Sequence, residues 1–141
     1  AVANRQYAQF DVKMANIHNP ASSLSGGNLQ KAIIAREIYR DPALLIAAQP
    51  SRGVDIGAIE FIHRQIIAAR NKGCAVLLIS TELDEILTLS DRIGVIFKGK
   101  IKGELTREEV QMSKIALWMA GHSEEDEATA VAENVGQTMD G

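Results

Sequence analysis

Two short apolar runs constrain this chain most: Ala43-Leu44-Leu45-Ile46-Ala47-Ala48 and Cys74-Ala75-Val76-Leu77-Leu78-Ile79. Each is too short to be a helix of its own, so both read as buried strands. Between them, Ile56, Ile59, Ile62, Ile66 and Ala69 recur on one helical face, Asp55 stands where an N-cap belongs, and Gly73 follows the end. That pattern predicts a helix over 56–72. A strand, a helix and a strand in this order make a βαβ unit with neighbouring parallel strands and a right-handed crossover. Upstream, Ser25-Gly26-Gly27 leads into Leu29, Ala32, Ile33, Ala35, Arg36 and Ile38, a helix of roughly 28–40 that stops before Pro42. Downstream, Glu82 to Leu89 reads as a short helix. Arg92–Phe97 and Ile101–Leu105 flank Lys98-Gly99-Lys100 as a hairpin. Arg107 to Ala120 reads as a last amphipathic helix, ended by Gly121 and burying Met112, Leu117, Trp118 and Met119. The fold class is α/β, a mostly parallel sheet flanked by helices with a C-terminal β-hairpin and helix.

The 141 residues suit one domain or a large piece of one. With 46% hydrophobic and 23% charged residues the chain reads as globular. No apolar run approaches the ~20 residues of a membrane-spanning helix. The opening lacks the basic-then-apolar order of a signal peptide, so a cytoplasmic location is expected. Cys74 is the single cysteine, which excludes an internal disulfide and a cysteine-cluster zinc site; it reads as a small buried hydrophobe. Residues 123–141 carry Glu124, Glu125, Asp126, Glu127, Glu133 and Asp140 with no Lys or Arg, and are expected to stay disordered. The positive charge elsewhere is too scattered for a nucleic-acid partner. His18, His63 and His122 show no metal-ligand spacing; no metal site is expected, and they read as surface or boundary residues. Glu82, Asp84 and Glu85 fall in the first turns of a short helix, where the dipole favours acids.

Chemistry concentrates in Leu24-Ser25-Gly26-Gly27-Asn28-Leu29-Gln30-Lys31. Two glycines let the backbone approach a phosphate without a Cβ in the way. Free N–H groups at a helix start point at such an anion with the dipole behind them, and Ser25 adds a hydroxyl donor. This octapeptide resembles the signature sequence of ABC-type ATP-binding cassettes. The downstream order matches that family too: Asp41-Pro42, an apolar strand, Pro50-Ser51-Arg52-Gly53-Val54-Asp55, a helix, a second apolar strand, Ser80, then Ser90-Asp91-Arg92-Ile93 and Gly99. The likeness covers roughly residues 10–121. Asn28-Leu29-Gln30-Lys31 is similar to carbohydrate importers, and Gln49-Pro50 through His63 to nucleoside importers of the same group, in which both cassettes lie on one polypeptide; this resembles the second. The resemblance implies a partial P-loop NTPase fold. It implies that Ser25, Gly26, Gly27 and Asn28 meet, in trans, the γ-phosphate of ATP held by a partner cassette. It also implies that Asp55 couples the two cassettes across their interface, although a plain helix N-cap explains Asp55 equally well. Arg36 matches a helix arginine of structural role.

Three positions depart from that family. Where it ends its Walker B strand in Asp-Glu, this chain has Ala48 and Gln49. Ala48 offers no oxygen toward Mg²⁺, and Gln49 can hold a water but cannot accept its proton. Thr81 stands where the family has its switch histidine. No G-x-x-x-x-G-K-[ST] loop is present. The reading is therefore a piece of a cassette: 1–22 a remnant of the helical subdomain, 23–122 the C-terminal part of the ATPase domain, 123–141 an acidic tail. Alone it is expected to be inactive and to bind no cofactor. In the parent assembly ATP and Mg²⁺ are expected, with a first cassette, membrane permease subunits and, indirectly, a solute-binding protein as partners, at the inner face of a bacterial membrane. Without upstream sequence to cover its sheet, the piece is expected to self-associate as a homodimer. Two alternatives stand beside this: a soluble ABC-type ATPase, and a non-catalytic interaction module without a transport role.

Overall fold

The computed structural model describes residues 8, 10–13, 16 and 18–122, and the chain divides into two compact units, Ala1–Leu89 and Ser90–Gly141. The expectation for 123–141, and that for most of the first residues of 1–22, falls outside the described residues.

In the first unit a 3₁₀ turn, Ala21–Ser23, precedes helix α1, Gly26–Ile38. Strand β1 is Leu44–Ala48, helix α2 is Ile56–Asn71, strand β2 is Ala75–Ile79, and helix α3 is Leu83–Leu89. β1 and β2 pair in parallel, in register from Leu44↔Ala75 to Ala48↔Ile79, with α2 connecting them as the sequence pattern requires. α2 begins where expected because the Asp55 carboxylate accepts the Ala58 N–H at 2.9 Å. It ends at Gly73, whose φ of +98° suits only a residue without a Cβ. The core joins Ile34, Ala35 and Ile38 of α1 to Leu45 and Ala47 of β1 and to Ile62, Ile66 and Ala69 of α2, with Phe10 and Val12 packed into it. Ile62 is wholly buried, and a side chain of that size buried so fully contributes about 2 kcal/mol.

Two expectations are corrected here. The strands are not buried on both faces: Leu45 and Ala47 are covered, whereas Leu44 is 54% and Ile46 60% exposed. Leu77 and Ile79 are open on the same side, because α1 and α2 line only one face of the pair. The Cys74 thiol is half-buried rather than enclosed, and it donates to the Ala75 carbonyl at 3.3 Å.

The second unit is a hairpin with a helix laid on it. Strands β3, Arg92–Phe97, and β4, Lys100–Thr106, are antiparallel. Lys98 and Gly99 have φ of +48° and +76°, the two left-handed residues of a type I′ turn, which matches the twist of the strands. Helix α4 is Met112–Met119, shorter than the sequence pattern suggests. Its expected first turn is a separate 3₁₀ segment, Arg107–Glu109, capped at its start by Thr106, which donates both its N–H and its hydroxyl to the Glu109 carboxylate, at 3.0 and 2.8 Å. The burial forecast for α4 also changes. Ile115 and Trp118 are 1% exposed, but Met112 and Met119 are half open and Leu117 partly so. A two-stranded hairpin is wide enough to cover only the narrow stripe made by residues three apart. The Trp118 ring lies directly on Gly103, where any Cβ would overlap it.

Candidate functional site

The residues singled out by sequence gather at one end of the first unit, around the start of α1 and the C-terminal ends of β1 and β2. In open α/β sheets ligands bind at such strand ends.

Ser25 is the N-cap of α1, with extended backbone at φ −63° and ψ 157°. Its Oγ accepts the Asn28 N–H at 3.4 Å and the Asn28 Nδ2–H at 3.0 Å. Both acceptor positions are thus taken, and the hydroxyl proton is left to donate outward. Gly26 and Gly27 form the first turn, whose N–H groups have no acceptor within the helix. Ser25 and Gly26 are exposed, and Gly27 and Asn28 are half-buried, so the loop lies at the surface as expected. Asn28 is more committed than the sequence suggests. Its Oδ1 accepts the Lys13 N–H at 2.8 Å, which spends the side chain on holding residues 11–13 against α1. The same segment is tied by the 3.0 Å Asp11–Lys31 ion pair. The Lys31 hydrogen bond, and then its charge, hold the Asp11 carboxyl below the usual carboxylate range.

Asp55 comes next to this loop. A Cβ at Gly27 would stand 3.1 Å from Asp55 Oδ2 and 3.3 Å from the Ala58 Cβ, and one at Gly26 3.7 Å from the Gly53 carbonyl. Gly27 is therefore tight against the β1–α2 loop, where a Cβ would force its neighbours to give, whereas Gly26 has room for one and serves only to leave its backbone open. Gln30 fastens the same contact by donating to the Pro50 carbonyl at 2.8 Å.

Ala48 ends β1 with an exposed methyl group. Gln49 follows in the left-handed region, φ +50°, with its N–H on the Ile79 carbonyl at 2.7 Å. A non-glycine residue held there carries strain of about 1–3 kcal/mol. Thr81, just beyond β2, donates its hydroxyl and its N–H to Gln49 Oε1 at 3.4 and 3.5 Å. The two altered positions thus touch each other. Neither carries a carboxylate, and no group of three or more His, Cys, Asp or Glu among the described residues could hold a metal. The strand ends do not fit Mg²⁺, whereas the start of α1, with its donors, fits a phosphate.

One pair escaped the sequence reading. His63 of α2 and Glu85 of α3 meet at 3.0 Å. Glu85 is 3% exposed, and its Oε2 has no partner among the described residues. The sequence accounts for Glu85 by the helix dipole alone; the structure adds that it is a buried acid held by histidine. Residues 22 apart in sequence carry no periodic signal that would have paired them. Arg36, by contrast, is an exposed side chain paired with its neighbour Glu37.

No family model matches the chain. The guanosine import ATP-binding protein of Bacillus subtilis (strain 168) is 51% identical over 122 residues, 86% of this chain and 24% of that protein. The nucleoside import ATP-binding protein of Lactococcus lactis subsp. cremoris (strain MG1363) is 57% identical over 113 residues, 80% of this chain and 22% of that protein. The chain thus spans under a quarter of the length of these curated relatives. Among solved structures, a nucleotide-free ATP-binding cassette from an ABC transporter superposes with a TM-score of 0.64 at 27% identity, covering 74% of this chain and 41% of that one. The ADP conformation of another ABC-transporter cassette gives 0.62 at 25%, covering 84% and 45%.

Proposed function

Since the chain belongs to the ATP-binding cassette family, we propose that it forms the C-terminal part of the second cassette of an importer for nucleosides or simple sugars. The observation that carries this reading is the Ser25–Gly27 turn, exposed at Ser25 and Gly26 and with the Ser25 hydroxyl free to donate, in a chain 51% and 57% identical to guanosine- and nucleoside-import ATP-binding proteins. In the parent assembly Ser25, Gly26 and Gly27 meet the γ-phosphate of ATP held by the first cassette, while Asn28 positions Ser25 rather than touching the ligand. Ala48, Gln49 and Thr81 leave the cassette's own half-site without a base or a metal-holding acid, so one of the two composite sites hydrolyses ATP. Asp55 both caps α2 and faces the partner cassette. Permease subunits, and through them a solute-binding protein, complete the importer at the cytoplasmic face of the membrane. Among the described residues no helix is long and apolar enough to cross a membrane.

The test is a pair of substitutions in the complete transporter. Gly27→Asp should abolish ATP turnover and solute uptake: it places a carboxylate where donors should meet an anion, beside the carboxylate of Asp55. Losing a positioned donor at a working site costs about 10²–10³ in rate. Gln49→Ala should lower turnover far less. Equal losses from the two would refute the asymmetry, and normal uptake with Gly27→Asp would refute the role of the turn.

A further inference from the structure

The turn of the hairpin gathers three lysines around one ring. Phe97 closes β3, and Lys100 is its cross-strand partner; directly opposed residues of an antiparallel pair share a face. The Lys98 ammonium lies 5.3 Å from the centre of the Phe97 ring, and that of Lys102 lies 6.0 Å from it. Lys102 falls at the bulge of the ladder, between Ile101, paired with Ile96, and Gly103, paired with Val95. None of the three has an acidic partner among the described residues. Glu104, the acid of the hairpin strands, is taken by Arg92 at 2.6 Å. Three cations this close repel one another and favour an anion among them. The chain leaves α4 at the same place. Gly121, φ +97°, lies so near Phe97 that a Cβ would overlap the ring. Glu124, Glu125, Asp126 and Glu127 begin three residues further on. Three extended residues span about 10 Å, enough to bring the first of these carboxylates to the ammonium groups around the ring that Gly121 touches.

We infer that the acidic segment Glu124–Glu127 docks on the hairpin turn of its own chain, with its carboxylates paired to Lys98, Lys100 and Lys102 around the Phe97 ring. The inference goes beyond the nucleotide reading above and does not depend on it. Charge complementarity supports it from one side: residues 123–141 hold six acids and no Lys or Arg, and the turn holds three unpaired cations. The tether supports it from the other. A short link holds the segment at an effective concentration of about millimolar or more, ahead of a second copy of the chain at lower concentration. One exposed ion pair is weak, so the contact depends on several carboxylates meeting several ammonium groups, and salt screens it.

The experiment treats the complete chain with a zero-length carbodiimide, which joins a lysine amine to a carboxylate it touches, and maps the linked peptides by mass spectrometry. Links are expected from Glu124–Glu127 to Lys98, Lys100 and Lys102 within a single chain. Their yield should be unchanged on dilution and should fall roughly fivefold or more between about 0.02 and 0.5 M NaCl, as the screening length shrinks below the span of the patch. A second measurement uses the ¹⁵N-labelled chain. Neutralising the segment by Glu124→Gln, Glu125→Gln, Asp126→Asn and Glu127→Gln together should shift the backbone amide resonances of Lys98–Lys102 and leave those of β2 in place. Links found only in a covalent dimer would assign the turn to a second copy and overturn the inference. Links spread evenly over Lys13, Lys72 and the turn would overturn it too, as would Lys98–Lys102 resonances that do not move in the neutralised variant. In each of these cases the nucleotide reading stands.

Discussion

Removing His63 should harm this protein more than removing the buried acid it contacts. Glu85 is 3% exposed, with one carboxylate oxygen 3.0 Å from His63 Nε2 and the other without a partner among the described residues. His63→Leu leaves both oxygens in an apolar setting with no donor. Breaking a buried pair from one side costs about 3–5 kcal/mol, and the partial exposure of the His63 side chain, 17%, argues for the lower end. Glu85→Met fills a similar volume with a flexible apolar side chain and leaves His63 able to reach water, so its cost should be about 0–1 kcal/mol. The double variant should resemble Glu85→Met alone, because the second change has no buried charge left to strand. Urea unfolding at near-neutral pH, followed by circular dichroism, measures all three. With an m-value of about 1.5 kcal/mol/M, His63→Leu should lower the midpoint by roughly 2 M while m stays constant. If Glu85→Met costs as much as His63→Leu, and the double variant costs their sum, the two side chains are not energetically coupled and the reasoning from stranded charge fails.

The isolated chain should show no steady phosphate release and no micromolar affinity for Mg-ATP by calorimetry, since Ala48, Gln49 and Thr81 provide neither base nor metal ligand. Gly103→Ala should destabilise the second unit by about 1–3 kcal/mol, because the new methyl group overlaps the fully buried ring of Trp118; Trp fluorescence in a thermal melt would report it, and an unchanged melt would contradict the packing. Asp11 and Glu109 have carboxyls held below the ordinary range, Asp11 by Lys31 and Glu109 by the Thr106 N–H and hydroxyl. Their contribution is therefore present above the unfolded-state value near pH 4 and lost as pH falls through the lower folded-state values, so Asp11→Asn should lower the neutral plateau of a pH–stability profile slightly, leave the most acidic end unchanged and so flatten the acid limb.

Local signals carried most of the fold. The two apolar runs, the cap at Asp55 and the Lys98-Gly99 turn each specify their own neighbourhood, and each appears within a residue or two of its forecast position. What sequence did not disclose depends on contacts between distant residues. The open face of β1 and β2 depends on how many helices cover the sheet, and the lengths of the runs do not encode that. The break between the Arg107–Glu109 turn and α4 is likewise not marked by the local pattern. At the site, the types of residue at 25–28, 48–49 and 81 were legible. That Asn28 is spent on Lys13, and that Thr81 reaches Gln49 from 32 positions away, follows only from the fold.

The arrangement also explains why an anion should choose one of two neighbouring helix starts. α1 and α2 begin side by side, and each has the partial positive charge of its first turn. At α2 that charge is already met by the Asp55 carboxylate, which accepts the Ala58 N–H at 2.9 Å. At α1 the cap is a neutral serine whose acceptor positions are filled by Asn28, leaving an outward O–H and the N–H groups of Gly26 and Gly27. Asp55 Oδ2 also lies 3.1 Å from where a Cβ of Gly27 would stand, so a second negative charge is repelled from that flank. On the proposed reading, an anion would be directed to the Ser25–Gly26 side of α1. A serine cap beside an aspartate cap thus gives one receptive helix start and one that is already satisfied, from two helices whose backbones are otherwise equivalent.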